Sequence, residues 1–434
     1  MTSRNRFYFL FPFVILFSLL LGGCTSSGPT PSLSSPPASP APSAPAPSPS
    51  PTPTPDPVAD RLAGMTVEQK VGQLLVAGIQ GTVPGPDAQA AIQNVQAGGI
   101  ILFDRNVSDA GQLARMTNSL KELNGDYIPL FLCVDEEGGR VSRMPPEIDS
   151  IPSALTFGSI QNDQFRLNAC YSLGGTLADL CKAFGFNLDF APVMDVWSNP
   201  ENTVIGDRAY STDAGTAALA ACETAYGLMD AGIIPVAKHF PGHGDTDKDS
   251  HTDLPVVDKT LEELEALELI PFREAIRDER HYGAYEEGKA SVPAVMVAHI
   301  LMTAIDPQYP ASLSPAVVTG LLREHLGFDG LVCTDDLTMA AVTDSYGVGE
   351  AAVLAVEAGC DLLLICHRAD DLTAARSALL EAVESGRISE QRLDESVTRI
   401  LTLKQQYSLT NDPVPEPDPA ALNRAVADLK DLIP

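Results

Sequence analysis

Along this chain, short and almost wholly apolar runs alternate with longer amphipathic stretches. The runs are "KVGQLLVAGI" (70–79), "GGIILF" (98–103), "IPLFLCVD" (128–135), "GFNLDFAPVMDV" (185–196), "GIIPVAKHF" (232–240), "PAVMVAHI" (293–300), "GLVCTDD" (330–336) and "CDLLLIC" (360–366). Near-continuous apolar strands separated by helices imply a parallel sheet buried on both faces. The stretches 109–124, 164–185, 260–278 and 314–327 read as helices that cover it. Eight such units favour an α/β fold of the closed (β/α)8 TIM type over an open doubly wound sheet. No glycine fingerprint for a dinucleotide follows the first strand. A final helix is expected at 389–407, then a tail, 408–434, with a short helical pattern; the polar stretch 278–291 reads as a surface insertion.

The ends change the picture. Residues 1–23 combine Arg4 and Arg6 with an apolar run from Phe7 to Leu21, which reads as a secretory signal and not a spanning helix. The following "LGGC" resembles a bacterial lipobox and makes Cys24 the expected lipidated residue. From Thr25 to Pro57 there are 13 prolines in 33 residues, a composition that cannot bury a core. It favours a disordered, extended polyproline II stalk of up to about 100 Å. The expected organisation is therefore a lipoprotein signal peptide (1–23), a lipidated cysteine with a linker (24–57), a barrel (58–407) and a tail (408–434). That places the barrel outside the cytoplasm, held to the bacterial cell membrane by lipid.

A net charge of −29 argues against nucleic acid or an anionic membrane face as a partner. Besides Cys24, seven cysteines are scattered through apolar runs without CxxC pairs, and they read as small buried hydrophobes.

Polar residues concentrate where the predicted strands end: "VDEEGGRVSR", "APVMDVWSNPENTVIGDRAYS", "KHFPGHGDTDKDSH", "AHI" and "TDDLTM". Catalytic groups of such barrels stand at the C-terminal ends of strands, so the site is expected at that mouth. The segment 238–251 holds three of the chain's seven histidines. Their spacing matches neither the HExxH nor the finger type of metal site. Nor do Gly242 and Gly244, interleaved with His and Asp, form a phosphate-binding turn that leads into a helix. An acid–base pair fits better. Asp249 and His251 are two apart, so in an extended loop their side chains leave on one side, and the carboxylate can fix the imidazole tautomer. No metal or cofactor is expected.

These segments resemble the β-N-acetylhexosaminidases of glycoside hydrolase family 3. Every fixed position of the family's K-H-[FI]-P-G-x-G-D-x-x-x-D-S-H is present at 238–251. "VDEEGGRVSR" is similar to V-D-Q-E-G-G-R-V-x-R with Glu136 in place of Gln, and "IGDRAY" and "TDDLTM" match two further motifs. The resemblance implies Asp335 as nucleophile, His251 as general acid/base assisted by Asp249, and Asp135, Arg143, Arg208, Lys238 and His239 at sugar-binding positions. Asp336 is read as supporting a helix start or a neighbouring positive group, and His243, Asp245, Glu136, Glu137 and Arg140 as loop supports. The implied activity is that of a retaining exo-β-N-acetylglucosaminidase acting on cell-wall (muropeptide) fragments. Alternatives are a β-N-acetylglucosaminide phosphorylase, a β-glucosidase of the same family and a non-catalytic sugar-binding lipoprotein. The sequence leaves open the linkage, the leaving group and the oligomeric state.

Overall fold

The computed structural model describes residues 56–246, 254–277 and 292–434. The expected signal peptide, Cys24 and nearly all of the linker lie outside them, as do Asp249, His251 and the insertion at 278–291. Among the described residues no helix is long and apolar enough to cross a membrane.

Eight parallel strands close into a barrel: β1 (Leu75–Gly78), β2 (Gly99–Ile101), β3 (Phe131–Val134), β4 (Leu188–Asp189), β5 (Ile234–Phe240), β6 (Ala294–Val297), β7 (Leu331–Asp336) and β8 (Leu362–Ile365). Each pairs with its neighbours in sequence, and β8 returns to β1 in the register Leu75↔Leu363. Every apolar run of the sequence contributes one strand. Closure removes the sheet edges and buries both faces, which is why the runs carry no polar alternation.

The outer helices include α1 (Ala110–Asn124), α2 (Asp163–Ala183), α3 (Ala214–Asp230), α4 (Leu269–Arg277), α5 (Val348–Ala358), α6 (Ala369–Glu384), α7 (Glu390–Gln406) and α8 (Pro419–Lys430). Asp109, Asn162, Asp213 and Ser389 cap α1, α2, α3 and α7 by accepting a backbone N–H of the first turn. The stretch 260–278 does not form one helix. It breaks after Leu261–Ala266, where Leu267 leaves the helical region and Glu268 turns inward to meet Lys259 Nζ at 2.5 Å. A buried ion pair outweighs the amphipathic period there.

The N-terminal end of the barrel is a stability face. Lys404 Nζ, fully buried, donates to Gln73 Oε1 (2.9 Å) and Gly98 O (2.8 Å). Asp361, at the start of β8, meets the guanidinium groups of Arg323, Arg392 and Arg399. The tail is docked as well: Asn118 Nδ2 and Lys121 Nζ on α1 donate to the carbonyls of Val414 and Asp412, and α8 packs on α2. All seven cysteines of the described residues are buried, with none in a disulfide.

Candidate active site

The C-terminal mouth gathers Asp104 after β2, Asp135 after β3, Arg208 in the loop after β4, Lys238 and His239 on β5, His299 after β6 and Asp335 on β7. Lys238 Nζ donates to Asp135 Oδ1 (2.8 Å) and meets Glu137 Oε1 (2.7 Å). Arg208 grips both oxygens of Glu137, through Nε and Nη2 at 2.8 Å each. Nη2 of Arg208 also faces His239 Nε2 at 3.3 Å, and His239 Nδ1 lies 2.6 Å from Asp195 Oδ2. The result is one chain of alternating character: Asp135, Lys238, Glu137, Arg208, His239, Asp195. Lys238 is 2% exposed while Asp135 keeps 18%, so Asp135 presents the face that a ligand meets.

Burial alone would raise the Glu137 carboxyl, but Arg208 and then Lys238 outweigh it and hold Glu137 far below the usual carboxylate range. For Lys238, burial works against the charge and the Asp135 and Glu137 carboxylates overcome it, leaving its pKa above the ordinary value. All three groups stay ionised in a buried setting because each satisfies another. Glu137 was read from sequence as a loop support, and the structure corrects that: it is the hub that aligns two cations. Its spacing from Asp135 puts both on one side of an extended segment, but does not say which cations it meets.

Glu136 alternates to the opposite side. Its Oε2 accepts from Ser142 Oγ and the Arg143 backbone, both at 2.8 Å, while its own N–H donates to buried Asp189. It therefore pins the 136–143 hairpin, as a loop support should. Burial raises its pKa to about 7, against those hydrogen bonds. A raised folded pKa gives stability that is full below the unfolded value, about 4.5, and is lost as pH rises through about 7. Glu136→Gln keeps the acceptor and removes the buried charge. It is expected to raise the melting temperature at pH 8, by the equivalent of about 3 kcal/mol, and to change it little at pH 5. Thermal unfolding of both proteins at the two pH values checks this; a gap as large at pH 5 as at pH 8 contradicts it.

Arg143 is not part of the chain. Its Nη1 lies 3.3 Å from Asp104 Oδ2, at the rim below β2. Arg140 braces the site as expected, with its Nη2 donating to the carbonyls of Thr203, Val204 and Ile205 and its Nε to Asp207, next to Arg208. The glycines of 238–251 serve close approach. A Cβ on Gly242, whose φ is +132°, would press on the Glu268 side chain, and one on Gly244 would run into the Val196 carbonyl. The peptide bond between Lys238 and His239 is cis.

On β7 alternation separates the two aspartates. Asp336 is buried and turned to β8: its Oδ1 accepts from Thr338 N (2.9 Å) and Cys366 N (3.1 Å), and His367 Nε2 stands 3.3 Å from Oδ2. Asp335 is partly buried and accepts the Asp336 N–H through Oδ1 (2.8 Å). His299, fully buried, contacts Ser312 Oγ (2.7 Å) and the Asp336 carbonyl (3.0 Å). Burial lowers its pKa against the field of Asp335.

A mouth that interleaves fixed donors and acceptors, with a further carboxylate, Asp335, on β7, is suited to gripping hydroxyls around a bond to be cleaved, as in glycoside hydrolases. The model of the glycosyl hydrolase family 3 N terminal domain matches residues 66–403. The chain is 36% identical over 350 residues to "Beta-hexosaminidase LpqI" of Mycobacterium tuberculosis, covering 78% of this chain and 83% of that one. It is 32% identical over 336 residues to a "Beta-hexosaminidase" of Nitrosomonas eutropha, covering 76% and 92%. Among solved structures it is similar to a glycoside hydrolase family 3 beta-N-acetylglucosaminidase from Paenibacillus, with a TM-score of 0.77, 40% identity, and coverage of 85% of this chain and 69% of that chain. The chain belongs to glycosyl hydrolase family 3, and it is a glycoside hydrolase with a carbohydrate substrate.

Proposed function

We propose that this enzyme is a retaining exo-β-N-acetylglucosaminidase that removes terminal β-linked N-acetylglucosamine from muropeptide fragments. The observation that carries the reading is the buried chain from Asp135 to His239 at the barrel mouth. Asp135 accepts from sugar hydroxyls, while Arg208 and Lys238 supply donors. Arg143, beside Asp104, serves a further sugar contact at the rim. Similarity to beta-hexosaminidases and to a beta-N-acetylglucosaminidase supports the sugar, N-acetylglucosamine or a related hexosamine.

In the first step the Asp335 carboxylate attacks the anomeric carbon. The glycosidic C–O bond breaks, and the leaving oxygen takes a proton from His251. In the second, His251, oriented by Asp249, takes a proton from water, whose oxygen displaces Asp335 and releases the sugar. Turnover of an aryl β-N-acetylglucosaminide, compared with the aryl β-glucoside, tests the class. Preference for the glucoside overturns the sugar assignment. Sugar 1-phosphate instead of free sugar in phosphate buffer overturns hydrolysis, and no turnover of either substrate leaves only a sugar-binding role.

The enzyme is held outside the cytoplasm by lipid on Cys24, with the 25–57 segment as its stalk. "LGGC" followed directly by the proline-rich stretch supports this. In fractionated bacteria the wild type is expected with membranes and Cys24→Ala in the soluble extracytoplasmic fraction. Unchanged membrane recovery of the variant rejects the anchor.

A further inference from the structure

Asp195 carries none of the sequence motifs' assigned roles, yet it is 1% exposed and makes three contacts at the root of the site. Its Oδ2 lies 2.6 Å from His239 Nδ1, and its Oδ1 accepts the backbone N–H of His243 (2.6 Å) and of His239 (3.4 Å). On the other side of the ring, Arg208 Nη2 approaches Nε2 at 3.3 Å. A guanidinium has only donors, so Nε2 must be the acceptor there, and the ring proton sits on Nδ1, toward Asp195. The same carboxylate thus sets the ring's protonation and the backbone turn that follows β5.

We infer that Asp195 is a positioning residue that locks His239 in the Nδ1–H tautomer, so that the single Nε2 lone pair, which accepts from Arg208 in the free enzyme, is given to one sugar hydroxyl that inserts between them. A hydroxyl in that wedge donates to Nε2 and accepts from Arg208, a paired contact that the opposite tautomer cannot make. The electrostatics agree: burial would raise the Asp195 carboxyl, but the facing His239 and then His243 hold it below the usual range, so it remains an acceptor. The inference rests on the reading of His239 as a sugar-binding residue.

Asp195→Asn is a close probe because its Oδ1 keeps both backbone bonds and only the ring contact changes. Asn Nδ2 donates to Nδ1, the ring proton moves to Nε2, and Nε2–H then opposes the Arg208 donor. With ring-15N-labelled histidine, the protonated nitrogen of His239 is expected to switch from Nδ1 in the wild type to Nε2 in the variant. The variant's kcat/KM on an aryl β-N-acetylglucosaminide is expected to fall on the order of 10–10²-fold, as for loss of a charge-assisted hydrogen bond. In a His239→Ala background, Asp195→Asn is expected to cost nothing further, since its effect runs through the ring. An unswitched tautomer, or a full additional loss in the His239→Ala background, overturns the positioning role. If His239→Ala is itself crippled in that case, the sugar-binding reading survives. A fully active His239→Ala enzyme overturns that reading and the inference with it.

Discussion

Asp335→Asn is expected to reduce turnover on the order of 10⁴–10⁶-fold, the scale of losing a catalytic nucleophile, while leaving the fold intact. Its neighbour is otherwise engaged: Asp336 is buried and accepts from Thr338 and Cys366. Asp335 accepts the Asp336 N–H through Oδ1 at 2.8 Å, a bond that the Asn carbonyl reproduces, so the variant should unfold close to the wild-type temperature. Asn cannot form the glycosyl ester, because its amide is a poor nucleophile at carbon. A slow-reacting fluorinated sugar followed by peptide mass mapping locates the ester directly: the label is expected on Asp335, and a label elsewhere rejects the assignment. Failure to label, together with potent inhibition by a thiazoline analogue, would instead favour attack by the substrate's own 2-acetamido group.

His251→Ala is expected to cost on the order of 10²–10⁴-fold on substrates with poor leaving groups, the range of general acid–base catalysis. Good leaving groups depart without a proton, so cleavage of an activated aryl glycoside should suffer far less in the first step. The second step still needs a base to activate water, so the glycosyl ester should accumulate on such substrates as a burst. A loss that is equal across leaving groups, with no burst, removes His251 from the acid–base role. The motivation lies in the sequence pair Asp249 and His251, two residues apart and shortly after Lys238 and His239 in the same motif.

The barrel was legible in the sequence because closure of a parallel sheet makes every strand a short apolar run, and eight of them appeared in order. The helices at 109–124, 164–185 and 389–407 were legible in the amphipathic pattern, and in the structure Asp109, Asn162 and Ser389 cap their starts. The break after Ala266 was not, because its cause, Lys259 meeting Glu268, depends on what packs beneath Gly242. The mouth residues were legible as types and positions: Asp135, Arg208, Lys238 and His239 fall where the motifs put them, and the structure joins all four. Arg143 also falls at the mouth, but with Asp104 and apart from that chain.

By itself, the sequence determined the strand count and the face of the barrel that carries chemistry, since these follow from periodicity along one chain; the choice of Asp335 over Asp336 came from the family resemblance. Tertiary structure alone decided the roles of Glu137 and Asp195. A carboxylate's role depends on which charges it faces, and here those lie far along the chain: Arg208 is 71 residues from Glu137, and His239 is 44 from Asp195. In a buried mouth, an unpaired charge costs more than an exposed one. The fold therefore had to supply an acid for each cation and an acceptor for the histidine, and only the closed barrel reveals which residues they are.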